Sequence, residues 1–313
     1  MEYSFRDNKG LYSFTMLFIL VVIMVVCLQL IQTFVEFTLP YFFGVKDAHA
    51  FIQSAALQVH NTPASLYAQA LCSSIGFFLV PVILYHIIFR FDMVSSMGLK
   101  ALPAARYWLM AIGVMFLAGI FIQWLVQINA AIPLTGKWQT LRSAQQETDK
   151  LVESFFSDKS LTRFLLLILI MALLPAIGEE VCFRGTIQKT LSQTNLGPIG
   201  AIIMSGLFFS ITHAEFDNLL AIWCMGIVLG FLYYYSGSIW VNITAHFFNN
   251  ALMIACKYAY VKGLIPTDIA NINILPLYLT LPAGALMICG LVIMRRWKRI
   301  APSISLPDSK QVP

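Results

Sequence analysis

Long apolar stretches separated by short polar joints make up most of the chain. They fall at 11–35, 66–89, 107–129, 161–180, 198–213, 217–235, 239–258 and 275–294. An α-helix rises 1.5 Å per residue, so roughly twenty apolar residues carry it across a hydrocarbon core about 30 Å thick. The fifth stretch is short, and the fourth runs on into charged residues at its end. The pattern predicts an all-α fold, a polytopic membrane helix bundle of about eight transmembrane helices. The first stretch is longer than a signal-peptide apolar region and no small-residue cleavage site follows it, so it is expected to remain as an anchor.

Composition agrees. Of 313 residues 59% are hydrophobic and 11% charged, where soluble domains carry about a quarter charged. Basic residues set the orientation. Arg6 and Lys9 precede the first stretch, Arg90, Lys100 and Arg106 lie between the second and third, and Arg295, Arg296, Lys298 and Arg299 follow the last. Eight crossings put all three clusters in the cytoplasm, as the Lys/Arg excess of inner loops requires. Both termini are therefore expected to be cytoplasmic, in a bacterial inner membrane. The 130–160 loop dissents with Lys137, Arg142, Lys150 and Lys159, diluted by Glu147, Asp149, Glu153 and Asp158. The net charge of +5 then reflects topology, and no interleaving of basic and aromatic residues points to nucleic acid. Cys27, Cys72, Cys182, Cys224, Cys256 and Cys289 are scattered singly, which supports neither a zinc ribbon nor a disulfide framework.

Four regions follow from these patterns: a three-span front section (1–130), a polar connecting segment (131–160), a core with its final anchor helix (161–300) and a tail (301–313). His86 is the one ionisable residue expected inside the membrane in the front section, and His49 and His60 fall in an outer loop; none is given a role. In the connecting segment Leu151, Val152, Phe155 and Phe156 recur at helical spacing, which fits an interfacial amphipathic helix. The tail, with Pro302 and Pro307, reads as disordered.

Nearly all the intramembrane polarity lies between residues 161 and 258, in three short patterns. The first is Glu179-Glu180-x-x-x-Arg184. On a helix Glu180 and Arg184 are one turn apart in the favourable order for an ion pair, which leaves Glu179, about 100° round the helix, unpaired. A free carboxylate away from bulk water suits a general base. The same residues also fit a helix end emerging among lipid headgroups. Upstream, Pro175 removes a backbone donor and is expected to kink the helix. The other two patterns, Phe209-x-x-x-His213 and His246-x-x-x-Asn250, each put two residues on one helical face. Taken singly, each also fits a hydrogen-bonded packing group. Gly226 and Gly230 form a close-approach motif, read as packing only.

Counting relates the patterns. If the fourth helix continues to about Ser192, the turn Asn195-Leu196-Gly197-Pro198 makes a hairpin in which Glu179 lies seventeen residues before Leu196 and His213 seventeen after it. The two should stand level. His246 starts nine residues, or about 13 Å, too high. The sites then meet if the turn protrudes into the cytoplasm, which the polar Gln188, Lys189, Ser192, Gln193 and Asn195 allow. The resulting site opens toward that side.

The ordered trio resembles the CPBP family, the CaaX prenyl endopeptidases of the Rce1 type and the bacterial Abi, bacteriocin-processing proteins. The likeness covers about residues 160–258 and rests on Glu179, Glu180, Arg184, Phe209, His213, His246 and Asn250. It implies an intramembrane endopeptidase whose partners are the lipid bilayer and a membrane protein or peptide substrate, lipidated in the CaaX case. Carried over to this chain, Glu179 activates a water, His213 positions it or shares its proton, and His246 with Asn250 binds the oxyanion. Glu180, Arg184 and Phe209 support them. The family is often labelled metalloprotease, and Glu179, His213 and His246 also fit a three-ligand zinc site; the HExxH motif is absent. Glu215, Asp217 and Asn218 fit either a shell that orients His213 or a solvated tight turn. Two other classes stay open, a proton-coupled transporter using the same residues as a relay and a non-catalytic immunity or scaffold protein. Against the transporter stands the lack of an internal repeat or of paired broken helices.

Overall fold

The computed structural model describes residues 5–42, 74–133, 159–268 and 275–297, with positions 135, 136, 139, 142, 143, 153, 155 and 156 between the second and third of these. His49, His60, Cys72, Leu151, Val152, Lys298, Arg299 and the tail lie outside the described residues. Eight long elements are found: α1 (Phe5–Phe42), α2 (Ser74–Ile88), α3 (Ala105–Ala130), α4 (Leu161–Leu191), α5 (Gly197–His213), α6 (Leu219–Ser236), α7 (Ile239–Val261) and α8 (Leu277–Trp297). No strand occurs among the described residues. Each apolar stretch of the sequence thus meets a helix. Among the described residues six helices are long and apolar enough to cross a membrane, while α2 and α5 are shorter apolar helices.

Local chemistry explains the helix ends. Ser160 caps α4 by accepting from the Arg163 amide. Gly197, at φ +64°, turns the chain into α5, which begins with Pro198 at a position where a missing N–H costs nothing. Ala214, at φ +53°, ends α5 in the left-handed region, so His213 is its last residue. Asn129 at the foot of α3 donates to the Phe216 carbonyl and accepts from the Leu220 amide, fixing the start of α6.

Pro175 lies between two widened stretches of α4. A π-helical turn, Ile168–Leu173, precedes it, and a second π-helical stretch, Glu180–Gln188, follows. A proline ring crowds the carbonyl one turn back and leaves it without a donor, and a widened turn relieves both faults. The consequence reaches the polar motif: Glu180 and Arg184 sit on the widened second stretch, and Glu179 is the last α-helical residue before it.

Two apolar clusters hold the bundle. One joins α3, α6, α7 and α8 through Ala111, Met115, Leu229, Val241 and Met287. The other joins α1, α2, α4 and α5 through Leu20, Val82, Phe183, Leu191 and Ala201. Close contacts at glycine stitch the halves. Gly226 of α6 lies against Gly206 of α5 so tightly that a Cβ on it would stand 2.8 Å from the Gly206 Cα. Phe155 and Phe156 of the connecting segment are buried against α4 and α7, in a third cluster with Leu167 and Ile254. His86 Nδ1 donates to Val82 O of its own helix (2.8 Å), and its Nε2 lies 3.5 Å from Ser96 Oγ, as in a packed polar group.

Candidate active site

The site grows from the polar face of α4. Glu180 is wholly buried and accepts from three donors, Arg184 Nη1 at 2.9 Å, His246 Nδ1 at 2.9 Å and Asn242 Nδ2 at 3.0 Å. Arg184 spends its second arm on the Gly226 carbonyl at 3.0 Å and lies over the Phe209 ring, 4.6 Å from its centroid. Such bonds help offset the cost of burying an ion pair, though Arg184 Nε is left without a partner. Small residues make it feasible, because Gly206 and Gly226 let α5 and α6 close up and leave that carbonyl within reach.

Glu179 stands apart from this network. It is 8% exposed, and its Oε2 has no hydrogen-bond partner. Two imidazole nitrogens face that oxygen, His213 Nε2 at 3.9 Å and His246 Nε2 at 3.8 Å. These separations exceed a hydrogen bond and suit one small molecule held between the three groups. Both rings are oriented from behind. His213 Nδ1 donates to the Phe209 carbonyl at 2.7 Å, and His246 Nδ1 donates to Glu180, so Nε2 is the free atom of each. Phe209 packs between them, with ring centroids 4.6 Å from His213 and 6.0 Å from His246.

The structure therefore brings together Glu179, Glu180, Arg184, Phe209, His213 and His246. Asn250 lies one turn beyond His246 on α7, and its Oδ1 accepts from Asn249 Nδ2 at 3.3 Å. The acidic turn takes no part in orienting His213: Asp217 pairs with Arg142, and Asn218 donates to Glu215 at 2.9 Å. Asn242 is a residue that the motifs did not single out. Its only signal in sequence was its spacing, four residues before His246 on the same face.

Zinc fits poorly. Among the described residues no group of three or more His, Cys, Asp or Glu side chains is arranged to hold a metal ion. Donors of a tetrahedral zinc site lie roughly 3.4 Å apart, as metal–ligand distances near 2.1 Å require, and the pairs about Glu179 Oε2 are wider, at 3.8 and 3.9 Å.

Comparison with known proteins falls on this region. Residues 161–252 match the model of the family described as type II CAAX prenyl endopeptidase Rce1-like. A stretch of 101 residues is 33% identical to "Putative membrane peptidase YdiL" of Bacillus subtilis (strain 168), covering 32% of this chain and 41% of that protein. The chain thus spans about two fifths of the length of the curated relative it matches. No solved structure matches. Residues 161–252, the part of the chain similar to that family, hold all seven motif positions.

Proposed function

We propose that the protein is an intramembrane endopeptidase that hydrolyses a peptide bond of a membrane-associated protein or peptide, with Glu179 as general base. One observation carries the reading: of two adjacent buried carboxylates, Glu180 is fully engaged, while Glu179 Oε2 is free of partners and faced by two imidazole nitrogens. A transporter relay needs no such division of labour, and neither does a packing role.

In this mechanism a water between Glu179 and the two Nε2 atoms gives its proton to Glu179 as its oxygen adds to the scissile carbonyl carbon. His213 aligns that water. His246 Nε2 and the side-chain nitrogen of Asn250 donate to the oxyanion, a stabilisation whose loss typically costs a hundredfold or more in rate. For His246 to donate from Nε2 while Nδ1 is bound to Glu180, it carries a proton on both nitrogens. Glu180 supplies the opposing charge. The carbon–nitrogen bond then breaks, and the proton on Glu179 passes to the leaving amine. No step runs through a metal. Lipidated substrates fit the family, and both an inner-membrane location and cytoplasmic termini fit the distribution of basic residues.

The test compares peptide termini in membranes of cells carrying the wild-type protein or Glu179→Gln. New termini are expected with the wild type and none with the variant, at equal amounts of inserted protein. Cleavage retained by the variant overturns the assignment of the base.

A further inference from the structure

Asn242 sits on α7 one turn before His246 and is wholly buried. Its side-chain nitrogen donates twice, to Glu180 Oε2 at 3.0 Å and to the Leu229 carbonyl of α6 at 2.7 Å. Both partners only accept, so the nitrogen, not the oxygen, must face them. That choice leaves Asn242 Oδ1 buried with no partner, which is destabilising because the oxygen loses its water without gaining a donor. A leucine of similar size would fill the same space with no orphaned oxygen. The compensation for that loss lies in what the nitrogen holds.

The two oxygens of Glu180 have different duties. Oε1 accepts from both Arg184 and His246, whereas the hydrogen bond recorded for Oε2 comes from Asn242. Both oxygens of a glutamate lie off the axis of its broad terminal torsion, so bonds on each of them hold the carboxylate plane at two points. Asn242 supplies the second point and ties it to the α6 backbone at Leu229. The chain of contacts then runs from Leu229 through Asn242 and Glu180 to His246 Nδ1.

We infer that Asn242 is a positioning residue of the peptidase site: through Glu180 it fixes the His246 ring with Nδ1 protonated and Nε2 turned toward Glu179. The inference rests on the peptidase reading for its effect on cleavage, but its structural content can be measured without substrate.

The experiment uses the full chain labelled with nitrogen-15 at histidine, in detergent, with the His246 signals identified by their loss in His246→Gln. In the wild type His246 is expected in the Nδ1-protonated, hydrogen-bonded form. In Asn242→Ala its Nδ1 signal should leave the hydrogen-bonded position while the signals of His213, held by the Phe209 carbonyl, stay in place. Cleavage should fall on the order of tenfold to a hundredfold, as when the outer partner of a site histidine is lost. If Asn242→Ala yields no folded protein, Asn242→Leu keeps the volume and gives the same reading. Unchanged His246 signals in either folded variant overturn the proposal, and so does a joint shift of His246 and His213, which marks a general packing role. Absence of cleavage by the wild-type protein would instead sink the peptidase reading and leave the His246 spectra to judge Asn242 on their own.

Discussion

Glu179→Gln and Glu180→Gln change neighbouring residues on one buried helix, and their effects on stability should differ widely. Glu180 accepts from Arg184, His246 and Asn242. An amide in its place has one accepting oxygen, so its NH2 group must face at least one of those donors. Arg184, 1% exposed at its side chain, also loses its counter-charge. Breaking a buried pair by neutralising one partner costs about 3–5 kcal/mol, because the other charge stays buried and uncompensated. Glu179 Oε2 makes no hydrogen bond, so an isosteric amide there breaks none, and the expected cost is about 1 kcal/mol or less. The assay heats purified wild type and both variants in detergent and follows the fraction remaining monodisperse. At about 2–4 °C per kcal/mol, the scale for domains of 150–250 residues, Glu180→Gln should lower the midpoint by roughly 6–20 °C. Glu179→Gln should stay within a few degrees while losing cleavage. Equal midpoints for the two variants, or a greater loss for Glu179→Gln, would refute the division between a structural and a chemical carboxylate.

Two further outcomes are expected. Gly226→Ala should destabilise by about 1–3 kcal/mol, since its Cβ meets Gly206 backbone atoms at 2.8 and 3.0 Å, whereas Gly113→Ala, with nothing within 4 Å, should be neutral or slightly stabilising in the same thermal assay. Cleavage should persist after chelation in a preparation whose metal content is shown to be negligible; its loss, with recovery on adding zinc, would reinstate the zinc alternative.

Helix positions were legible because bilayer depth imposes a length on apolar stretches that sequence displays directly. The level placement of Glu179 and His213 was legible for a related reason: a tight turn makes a hairpin whose heights follow by counting. The 3.9 Å approach of His213 Nε2 to Glu179 Oε2 agrees with that count even though much of α4 is π-helical. The π stretches themselves left no periodic signature, since nine residues, Glu180–Gln188, are too few to separate a widened turn from an ordinary one. Second partners were also hidden. His213 is oriented by a main-chain carbonyl, that of Phe209, not by the acidic turn two residues away, and a carbonyl partner has no residue type to read.

The same limit explains what was missed in Gly226-x-x-x-Gly230. Read as a packing motif, it predicts only close helices, and the contact with Gly206 fits that. Yet both glycines also expose their carbonyls sideways, where no side chain of their own stands in the way: Gly226 O accepts from Arg184 and Gly230 O from Gln188, with Leu229 O taking Asn242 between them. One turn of α6 backbone is thus the acceptor surface for the polar face of α4. A charged strip inside a membrane helix needs partners that cost no further charge, and main-chain oxygens bared by glycine are such partners. Small residues on α6 therefore serve the chemistry of the site as much as its packing. A bulkier residue at Gly226 would first meet the Gly206 backbone and so push α5 from α6, whose Gly226 carbonyl holds Arg184.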